Sequence, residues 1–223
     1  VMFHPALEYN EDVRVGTTKT KKMIGRFPAV VSAFRDVNGK VVNLHKIYLG
    51  ADGKKLTGVS KAKKIDSPLP GYKGSAIRVA TVEGCRTLHV TEGCEKGIAI
   101  HLATKQSVWA VNSCTMLPTL AIPQGQFDRV VIWSDNDPYI EARERHGDGQ
   151  TFAWKLFVEL LAKGYQTGFM LPMVEHVDGA KADDWEDLIV KNRVTEMPIK
   201  ERFPFLRTLA DAGGLFQCWK SVA

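Results

Sequence analysis

The sequence predicts an α/β fold: a mostly parallel sheet flanked by helices, preceded by a small basic antiparallel β subdomain. From about Ala76 onward, short apolar strands alternate with helical segments, which is typical of a parallel sheet with helices on both faces. Before that, from Phe27 to about Leu56, residues alternate as in paired antiparallel strands. The length of 223 residues, with 44% hydrophobic and 25% charged residues, is ordinary for a globular protein of one or two domains.

The antiparallel part is organised around turns. Strands are predicted over residues 29–34 and 41–49, joined by Asn38-Gly39, which suits a tight hairpin because both residues tolerate positive φ. Asp52-Gly53 predicts a second turn, and the prolines and glycine of residues 68–71 predict a loop.

The second part alternates between strands and helices. Strands are predicted over residues 87–91, 108–111, 129–134 and 168–171, and helices over residues 94–104, 115–121 and 149–163. The longest helix has apolar residues at helical spacing, which predicts a stripe facing the core: Phe152, Leu156, Phe157, Leu160 and Leu161. The tail from Pro198 to Ala223 is expected to be helical, with a break near Gly213-Gly214.

Composition excludes several classes of protein. No apolar run approaches the roughly 18 residues that span a bilayer, and we expect no signal peptide. We therefore expect a cytoplasmic protein without a membrane partner. The cysteines lie far apart and the histidines do not have zinc-finger spacing, so we expect no zinc site and reduced thiols in the core at Cys85, Cys94, Cys114 and Cys218.

Charge is distributed unevenly along the chain. Residues 1–80 contain 15 Lys and Arg against 6 Asp and Glu, a balance of +9, whereas the remainder contains 15 against 19, a balance of −4. This indicates a polyanion bound by the first part and metal ions bound by the second. The candidates for phosphate contact are Lys46, Lys54, Lys55, Lys61, Lys63, Lys64 and Arg78. Lys46 is the best of them because it lies within a predicted strand, whereas a solvated side chain is the simpler interpretation of most others. Tyr48 and Tyr72 offer stacking surfaces for bases.

Two predicted strands end in acidic residues. Glu92 follows strand 87–91, and Asp135 and Asp137 follow strand 129–134. Ligands of open parallel sheets bind at the carboxyl ends of the strands, and alternate residues of an extended segment point the same way. Oxygen ligands without His or Cys favour Mg²⁺ or Mn²⁺.

A third acidic cluster follows the last predicted strand. If Asp184 begins a helix, Asp187 lies one turn later on the same face. Together with the first two clusters, these acids could hold two Mg²⁺ ions that bridge a nucleotide's phosphates and an attacking 3′-hydroxyl. Taken singly, the motifs have simpler interpretations: a Glu-Gly turn, a solvated Asp-x-Asp turn and an Asp184 N-cap. Their occurrence in this order favours a metal site.

At these positions the sequence resembles the TOPRIM domain of primases and topoisomerases. The motifs are Thr91-Glu92-Gly93, after a strand and before a helix, and Ser134-Asp135-Asn136-Asp137 after a later strand. Residues 92–99 resemble the EGxETAxA form of phage-like and conjugative-plasmid (TraC-like) primases, and Asp184-Trp185-Glu186-Asp187 resembles the DWND motif that closes their TOPRIM domain. With weaker similarity upstream, the likeness covers roughly residues 4–192.

The resemblance implies the catalytic core of a primase that synthesises short RNA primers from NTPs on a single-stranded DNA template. Glu92, Asp135 and Asp137 would be catalytic and would bind metal. Asp184 and Asp187 would be further metal-binding acids, and Glu95 would be a supporting acid. Residues 1–80 would bind nucleic acid, 81–195 would form the TOPRIM domain and 196–223 a helical tail. A fused or recruited helicase, a zinc-binding module and a gene on a plasmid, phage or other mobile element are also implied.

Two features depart from the family pattern. Replicative bacterial primases have an aspartate four positions after the motif glutamate, where this chain has Lys96 and an acid one position earlier, Glu95. The glycine-rich start of the next helix is also delayed, because residues 138–146 intervene before Gly147-Asp148-Gly149.

Two other functions remain open from the sequence. A TOPRIM nuclease or a topoisomerase fragment could use similar metal ligands, although no residue is nominated as a topoisomerase's nucleophilic tyrosine. A non-catalytic module that binds single-stranded nucleic acid is the third hypothesis. The remaining aromatic and histidine residues of apolar segments are interpreted as packing residues: His89, His101, Trp109, Trp133, Trp154 and Trp185.

Overall fold

The computed structural model describes residues 1–144, 146–174, 176 and 182–210. The chain divides into two compact units, Val1–Tyr72 and the part from Lys73 onward. The division precedes the predicted boundary at residue 80 because strand Ala76–Ala80 pairs antiparallel with strand Ser107–Val111 of the second unit.

The first unit is an antiparallel sheet, as predicted. Its strands are β1 (Met2–Val15), β2 (Thr18–Arg35), β3 (Val41–Tyr48) and β4 (Lys63–Ile65), paired in that order. The hairpin turn at Asn38-Gly39 is confirmed, with Gly39 at φ 85°. Strand β1 was not predicted, because much of the β1–β2 hairpin is solvent-exposed and carries little apolar alternation.

A small core closes over the sheet of the first unit. Tyr9 and Tyr48 are buried and meet edge to face with ring centroids 4.8 Å apart. The Tyr48 hydroxyl donates to the Glu8 carbonyl at 2.7 Å. Tyr48 is therefore a core residue, and its prediction as a stacking surface for bases is wrong. Tyr72 is half-buried and meets Phe34 edge to face at 5.2 Å.

The second unit is a mixed sheet with helices on both faces. Its strands and α-helices are β5 (Ala76–Ala80), β6 (Thr87–Glu92), α1 (Cys94–Thr104), β7 (Ser107–Val111), β8 (Arg129–Trp133), α2 (Asp148–Ala162), β9 (Gln166–Met170), α3 (Trp185–Lys191) and α4 (Ile199–Thr208). Short 3₁₀ helices span Cys114–Thr119, Glu141–Arg143 and Val194–Glu196. Within this unit the strand order is β5-β7-β6-β8-β9, with β5 antiparallel and the other neighbours parallel.

Alternate residues of each central strand pack on opposite faces of the sheet. In β8, Val130 and Ile132 join the core cluster that includes α2, whereas Val131 and Trp133 join the cluster that includes α1, α3 and α4. Because both faces of the sheet are covered, the strands are almost continuously apolar. The parallel pairing of β6, β7, β8 and β9, with helices on both faces, confirms the predicted mostly parallel sheet flanked by helices.

Some local predictions need correction. Leu161 is 49% exposed, so it is not part of the core stripe of α2; Ala153, at 0%, takes that role because it lies three residues before Leu156 on the buried face. The helix expected over residues 115–121 is a 3₁₀ helix containing Pro118, which cannot donate the backbone hydrogen bond of an α-helix. Helix α4 lies within the predicted helical tail, whereas the break near Gly213-Gly214 lies outside the described residues. Across the described ranges, no helix is long and apolar enough to cross a membrane.

The residues interpreted as packing residues are buried or partly buried. Trp185 is fully buried, meets Trp133 edge to face at 4.8 Å and donates through Nε1 to the Ser134 carbonyl at 3.1 Å. His89 accepts at Nδ1 from Trp133 Nε1 at 2.8 Å, so its proton is on Nε2, which donates to Gln106 Oε1 at 2.9 Å. Burial lowers the pKa of His89 to about 4. The other members are buried (Trp109) or half-buried (His101 and Trp154).

Candidate active site

Two neighbouring parallel strands bring Glu92 and Asp135 together. Strands β6 and β8 are paired with Thr91 opposite Trp133, so both end at the same edge of the sheet. Glu92 is the last residue of β6, and Asp135 lies two residues beyond the end of β8. The carboxylates predicted from separate motifs are thus adjacent because the strands that precede them share one register.

Both carboxyl groups are difficult to ionise. Burial raises the pKa of Glu92, and the nearby Asp135 and Asp137 carboxylates raise it further, while Lys96 and the backbone N–H of Cys114 oppose the shift. Burial likewise raises the pKa of Asp135 against the opposing effect of Lys96. Such shifts indicate negative charge that the surrounding residues only partly compensate.

Lys96 provides the nearest positive charge. It lies in the first turns of α1, is only 6% exposed, and donates from Nζ to Asp135 Oδ1. The sequence showed Lys96 as a departure from the family pattern but did not predict this ion pair, because its partner lies in the loop after β8, 39 positions away.

The loop that carries Asp135 and Asp137 is fixed by hydrogen bonds from distant elements. The backbone N–H of Ser134 donates to the Met170 carbonyl at 2.9 Å, and Asn136 Nδ2 donates to the Pro172 carbonyl at 2.9 Å. Both acceptors lie at or just beyond the end of β9. The loop after β8 is therefore anchored to the loop after β9.

Gln150 on helix α2 supplies a second anchor. It is 2% exposed, and its Nε2 donates to Asn136 Oδ1 at 2.9 Å and to the Asp137 carbonyl at 2.7 Å. Sequence reasoning missed this residue, since a glutamine within an amphipathic helix carries no local signal of such a role.

The delayed glycines meet the acidic loop directly. The Gly149 N–H donates to Asp137 Oδ2 at 2.7 Å, so Asp137 caps the N-terminus of α2. A Cβ at Gly149 would lie 2.8 Å from Asp137 Oδ2 and 3.1 Å from Asp135 Cβ, and a Cβ at Gly147 would collide with Asp137 Cβ. After residues 138–146 the chain therefore returns to place these glycines against the acids.

The third acidic cluster forms a helix cap. Asp184 accepts from the backbone N–H groups of Glu186 and Asp187 at 2.9 and 3.2 Å, and Asp187 Oδ2 accepts from the Asp184 N–H at 3.1 Å. This reciprocal pair is a capping box at the start of α3. Asp184 also contributes to the raised pKa of Asp135, which indicates that the cap lies near the first two motifs. Metal binding by Asp184 and Asp187 remains a prediction.

Glu95 and Cys114 are two further ionisable side chains of this unit. Glu95 lies in the first turn of α1 and is half-buried; its supporting role remains a prediction. Burial and the nearby carboxylates of Glu92, Asp148 and Asp137 raise the pKa of the Cys114 thiol to about 12, so Cys114 stays protonated and uncharged at neutral pH.

The predicted nucleic-acid contacts lie in several settings. Lys46 forms an ion pair with Asp66 at 2.5 Å, and Arg78 on β5 lies over the Trp109 ring at 4.8 Å. Lys64 lies 3.8 Å from the centroid of the Tyr9 ring and donates to the Asn10 carbonyl, so its ammonium group is engaged in packing. The remaining candidates are exposed: Lys54, Lys55, Lys61 and Lys63.

The donor chemistry fits a hard divalent cation, although the side chains are not gathered for one. Glu92, Asp135 and Asp137 offer carboxylate oxygens, and the raised pKa values of the first two show that a cation would relieve their repulsion. Among the described residues, however, no three His, Cys, Asp or Glu side chains are grouped so that they could hold a metal ion. Two of these carboxylates already have partners: Asp135 is paired with Lys96, and Asp137 accepts from the Gly149 N–H.

Two families match successive parts of the sequence. Residues 87–193 match the family described as Toprim domain, and residues 1–79 match a domain of unknown function, DUF7146. No protein with a curated description matches.

Among solved structures, the chain is similar to the DnaG catalytic core, with 18% identity and a TM-score of 0.51 over 82% of this chain and 52% of that one. It is also similar to the primase fragment of the bacteriophage T7 primase-helicase protein, with 13% identity and a TM-score of 0.47 over 79% and 62% of the two chains. The RNA polymerase domain of Mycobacterium tuberculosis primase DnaG gives 18% identity and a TM-score of 0.46 over 91% and 59%. The chain thus spans between 52% and 62% of the length of these structures. The likeness to the DnaG core shows a shared fold.

Proposed function

We propose that this chain, whose residues 87–193 form a Toprim domain, is the catalytic core of a primase that joins NTPs into short RNA primers on single-stranded DNA. The observation that carries the proposal is the pair Glu92 and Asp135 at the ends of two parallel strands, both half-buried and close enough for the Asp135 carboxylate to raise the pKa of Glu92. Two neighbouring carboxylates that are partly removed from water cost free energy unless positive charge compensates them, so this pair favours a cationic ligand. The fold shared with the DnaG catalytic core makes nucleotide polymerisation the leading chemistry.

Glu92, Asp135 and Asp137 would hold Mg²⁺ or Mn²⁺, with Asp184 and Asp187 as further candidates. Once bound, a divalent cation supplies positive charge to a nucleotide's phosphates and to an attacking hydroxyl. Asp137 can serve with its Oδ1 while Oδ2 stays on the Gly149 N–H. The hydrogen bonds of Gln150 keep the acidic loop from moving when charge at the site changes.

Nucleic acid would bind through the exposed cations of the first unit. Besides the exposed lysines named above, the outer part of the β1–β2 hairpin, residues 13–22, which we term the arm, contains no acidic residue and exposes Arg14, Lys21 and Lys22. Cations on an exposed two-stranded ribbon can contact successive phosphates, and their binding energy comes mainly from counterion release.

Incubation with labelled NTPs, a single-stranded DNA template and Mg²⁺ or Mn²⁺ tests the proposal. We expect short RNA products that require both template and metal. Cleavage of the DNA instead would support a TOPRIM nuclease, and salt-sensitive binding without any product would support a non-catalytic module; either result would contradict primase activity. A helicase, a zinc-binding module and a mobile-element gene remain further parts of the proposal, to be sought beside this chain.

A further inference from the structure

Lys96 is a buried cation within the acidic site. Its side chain is 6% exposed and donates to Asp135 Oδ1, one of the oxygens proposed to bind metal. Its position is fixed by helix α1, because the next residue, Gly97, packs so closely on the sheet that a Cβ there would lie 2.9 Å from Val79 Cγ2 and 3.3 Å from Ala110 Cβ. Helix α1 therefore cannot easily withdraw and take Lys96 out of the site.

A fixed ammonium group and a divalent cation compete for the same carboxylate. Opposite charges in contact at a poorly solvated position attract strongly, so an incoming ion must either displace Lys96 from Asp135 or bind beside a positive charge. Both routes weaken binding. The absence of a ready three-acid group among the described residues agrees with a carboxylate that is already engaged.

We propose that Lys96 acts as a built-in counter-ion of Asp135 that takes the place of one divalent cation and keeps the metal affinity of the empty acidic site low. In this role Lys96 is a positioning residue that acts through Asp135. The inference rests on the proposed metal site. It adds that tight metal binding requires a second ligand, such as a nucleoside triphosphate, whose negative charge compensates the ammonium group.

Mn²⁺ binding to the full chain, followed by electron paramagnetic resonance without nucleotide, tests the inference. We expect Lys96→Met to bind Mn²⁺ roughly tenfold more tightly than wild type, and Lys96→Arg to remain close to wild type because it keeps the charge. Lys155→Met removes an exposed lysine of helix α2 and should change nothing.

The same substitution in an Asp135→Asn background separates a specific effect from a general one. If Lys96 acts through Asp135, Lys96→Met should change the Mn²⁺ affinity less than about twofold there. An equal gain in both backgrounds, or no gain in folded Lys96→Met and Lys96→Gln, would overturn the inference. If Asp135→Asn and Glu92→Gln leave Mn²⁺ binding intact, the proposed metal site itself is wrong. If the Mn²⁺ affinities of all variants are as expected but wild type makes no RNA, only the primase proposal is contradicted.

Discussion

At the scale of single residues, the acidic site places ionisable groups where water solvates them only in part. The half-buried acids Glu92 and Asp135 and the buried Lys96 form a set with two acidic groups and one basic group. Lys96 compensates the charge of Asp135, with which it is paired, while the raised pKa of Glu92 makes that carboxylate easier to protonate. This imbalance underlies the proposed binding of cations, and it makes the protonation of the site depend on pH.

We predict that Glu92 makes stability depend on pH in a definite direction. Because its pKa is raised in the folded state, its contribution to the free energy of unfolding is full below pH 4.5, its ordinary pKa, and is lost as the pH rises through the raised value. In the presence of a chelator, Glu92→Gln should therefore gain stability relative to wild type between pH 4.5 and neutral pH. Urea unfolding at a series of pH values measures this. Glu141→Gln, at an exposed acid, is the control, and a pH-independent difference would contradict the prediction.

His89 should produce the opposite dependence. Its pKa of about 4 lies below the ordinary 6.5, so its contribution to stability is present above pH 6.5 and is lost as the pH falls towards 4. From pH 7 to pH 5, wild type should lose about 2 kcal/mol more unfolding free energy than His89→Gln, whose side chain does not titrate. Parallel losses in the two proteins would show that His89 does not remain neutral in the fold.

Sequence reasoning predicted the positions of residues that follow from local pattern and missed contacts defined by distant partners. The positions of Glu92 and Asp135 at the ends of strands were predicted because acids directly follow apolar strands, whereas their roles remain predictions. The contacts of Gln150 and Lys96 were not predicted, because each spans more than ten positions of the sequence. Tyr48 was misassigned because a tyrosine in a strand alternates in the same way whether its ring is buried or exposed.

At the scale of elements, the N-terminus of α2 controls the geometry of the acidic loop. Gly147 and Gly149 leave no space for a side chain beside Asp137, and Gln150, in the same first turn of the helix, holds the loop by hydrogen bonds. Gly147 and Gly149 thus lie against the acids although nine residues lie between Asp137 and Gly147 in the sequence. The sequence showed these intervening residues but not that the chain after them packs against Asp137.

Gly149→Ala should disturb the site more than the fold. The added Cβ would lie 2.8 Å from Asp137 Oδ2, so Asp137 must move, at a cost of about 1–3 kcal/mol in stability. We expect weaker Mn²⁺ binding, measured by electron paramagnetic resonance. Gly168→Ala on β9, where a Cβ would meet Val131 at an ordinary 3.6 Å, is the matched control. Unchanged Mn²⁺ binding in Gly149→Ala would contradict the role given to α2.

The arm supplies a prediction about nucleic acid. Replacing Arg14, Lys21 and Lys22 by serine removes three charges, so the slope of log affinity against log salt for single-stranded DNA should fall by about 2. Fluorescence anisotropy over a salt series measures the slope. The fold should persist, since these side chains are exposed. An unchanged slope would show that the arm does not contact phosphates. The arm was not visible in the sequence because β1 and the start of β2 lack apolar alternation.

At the scale of the whole molecule, charge and fold divide along the same line. The first part of the chain is basic and antiparallel, and the second is acidic and mostly parallel, with the carboxylates at the ends of its strands. This division was predictable from composition and periodicity, because both are summed over many residues. The place of β5 was not, since a short strand that pairs antiparallel with β7 has no distinctive pattern of its own.

RNA synthesis by wild type and Glu92→Gln, compared at equal folded concentration, tests the central claim most directly. If Glu92 helps to hold a divalent cation that stabilises charge in the transition state, as proposed, its replacement should reduce the rate of template-dependent RNA synthesis by about a hundredfold or more. Glu141→Gln should remain as active as wild type. Wild-type synthesis that persists in Glu92→Gln would show that the acids at the ends of β6 and β8 are not the site of nucleotidyl transfer.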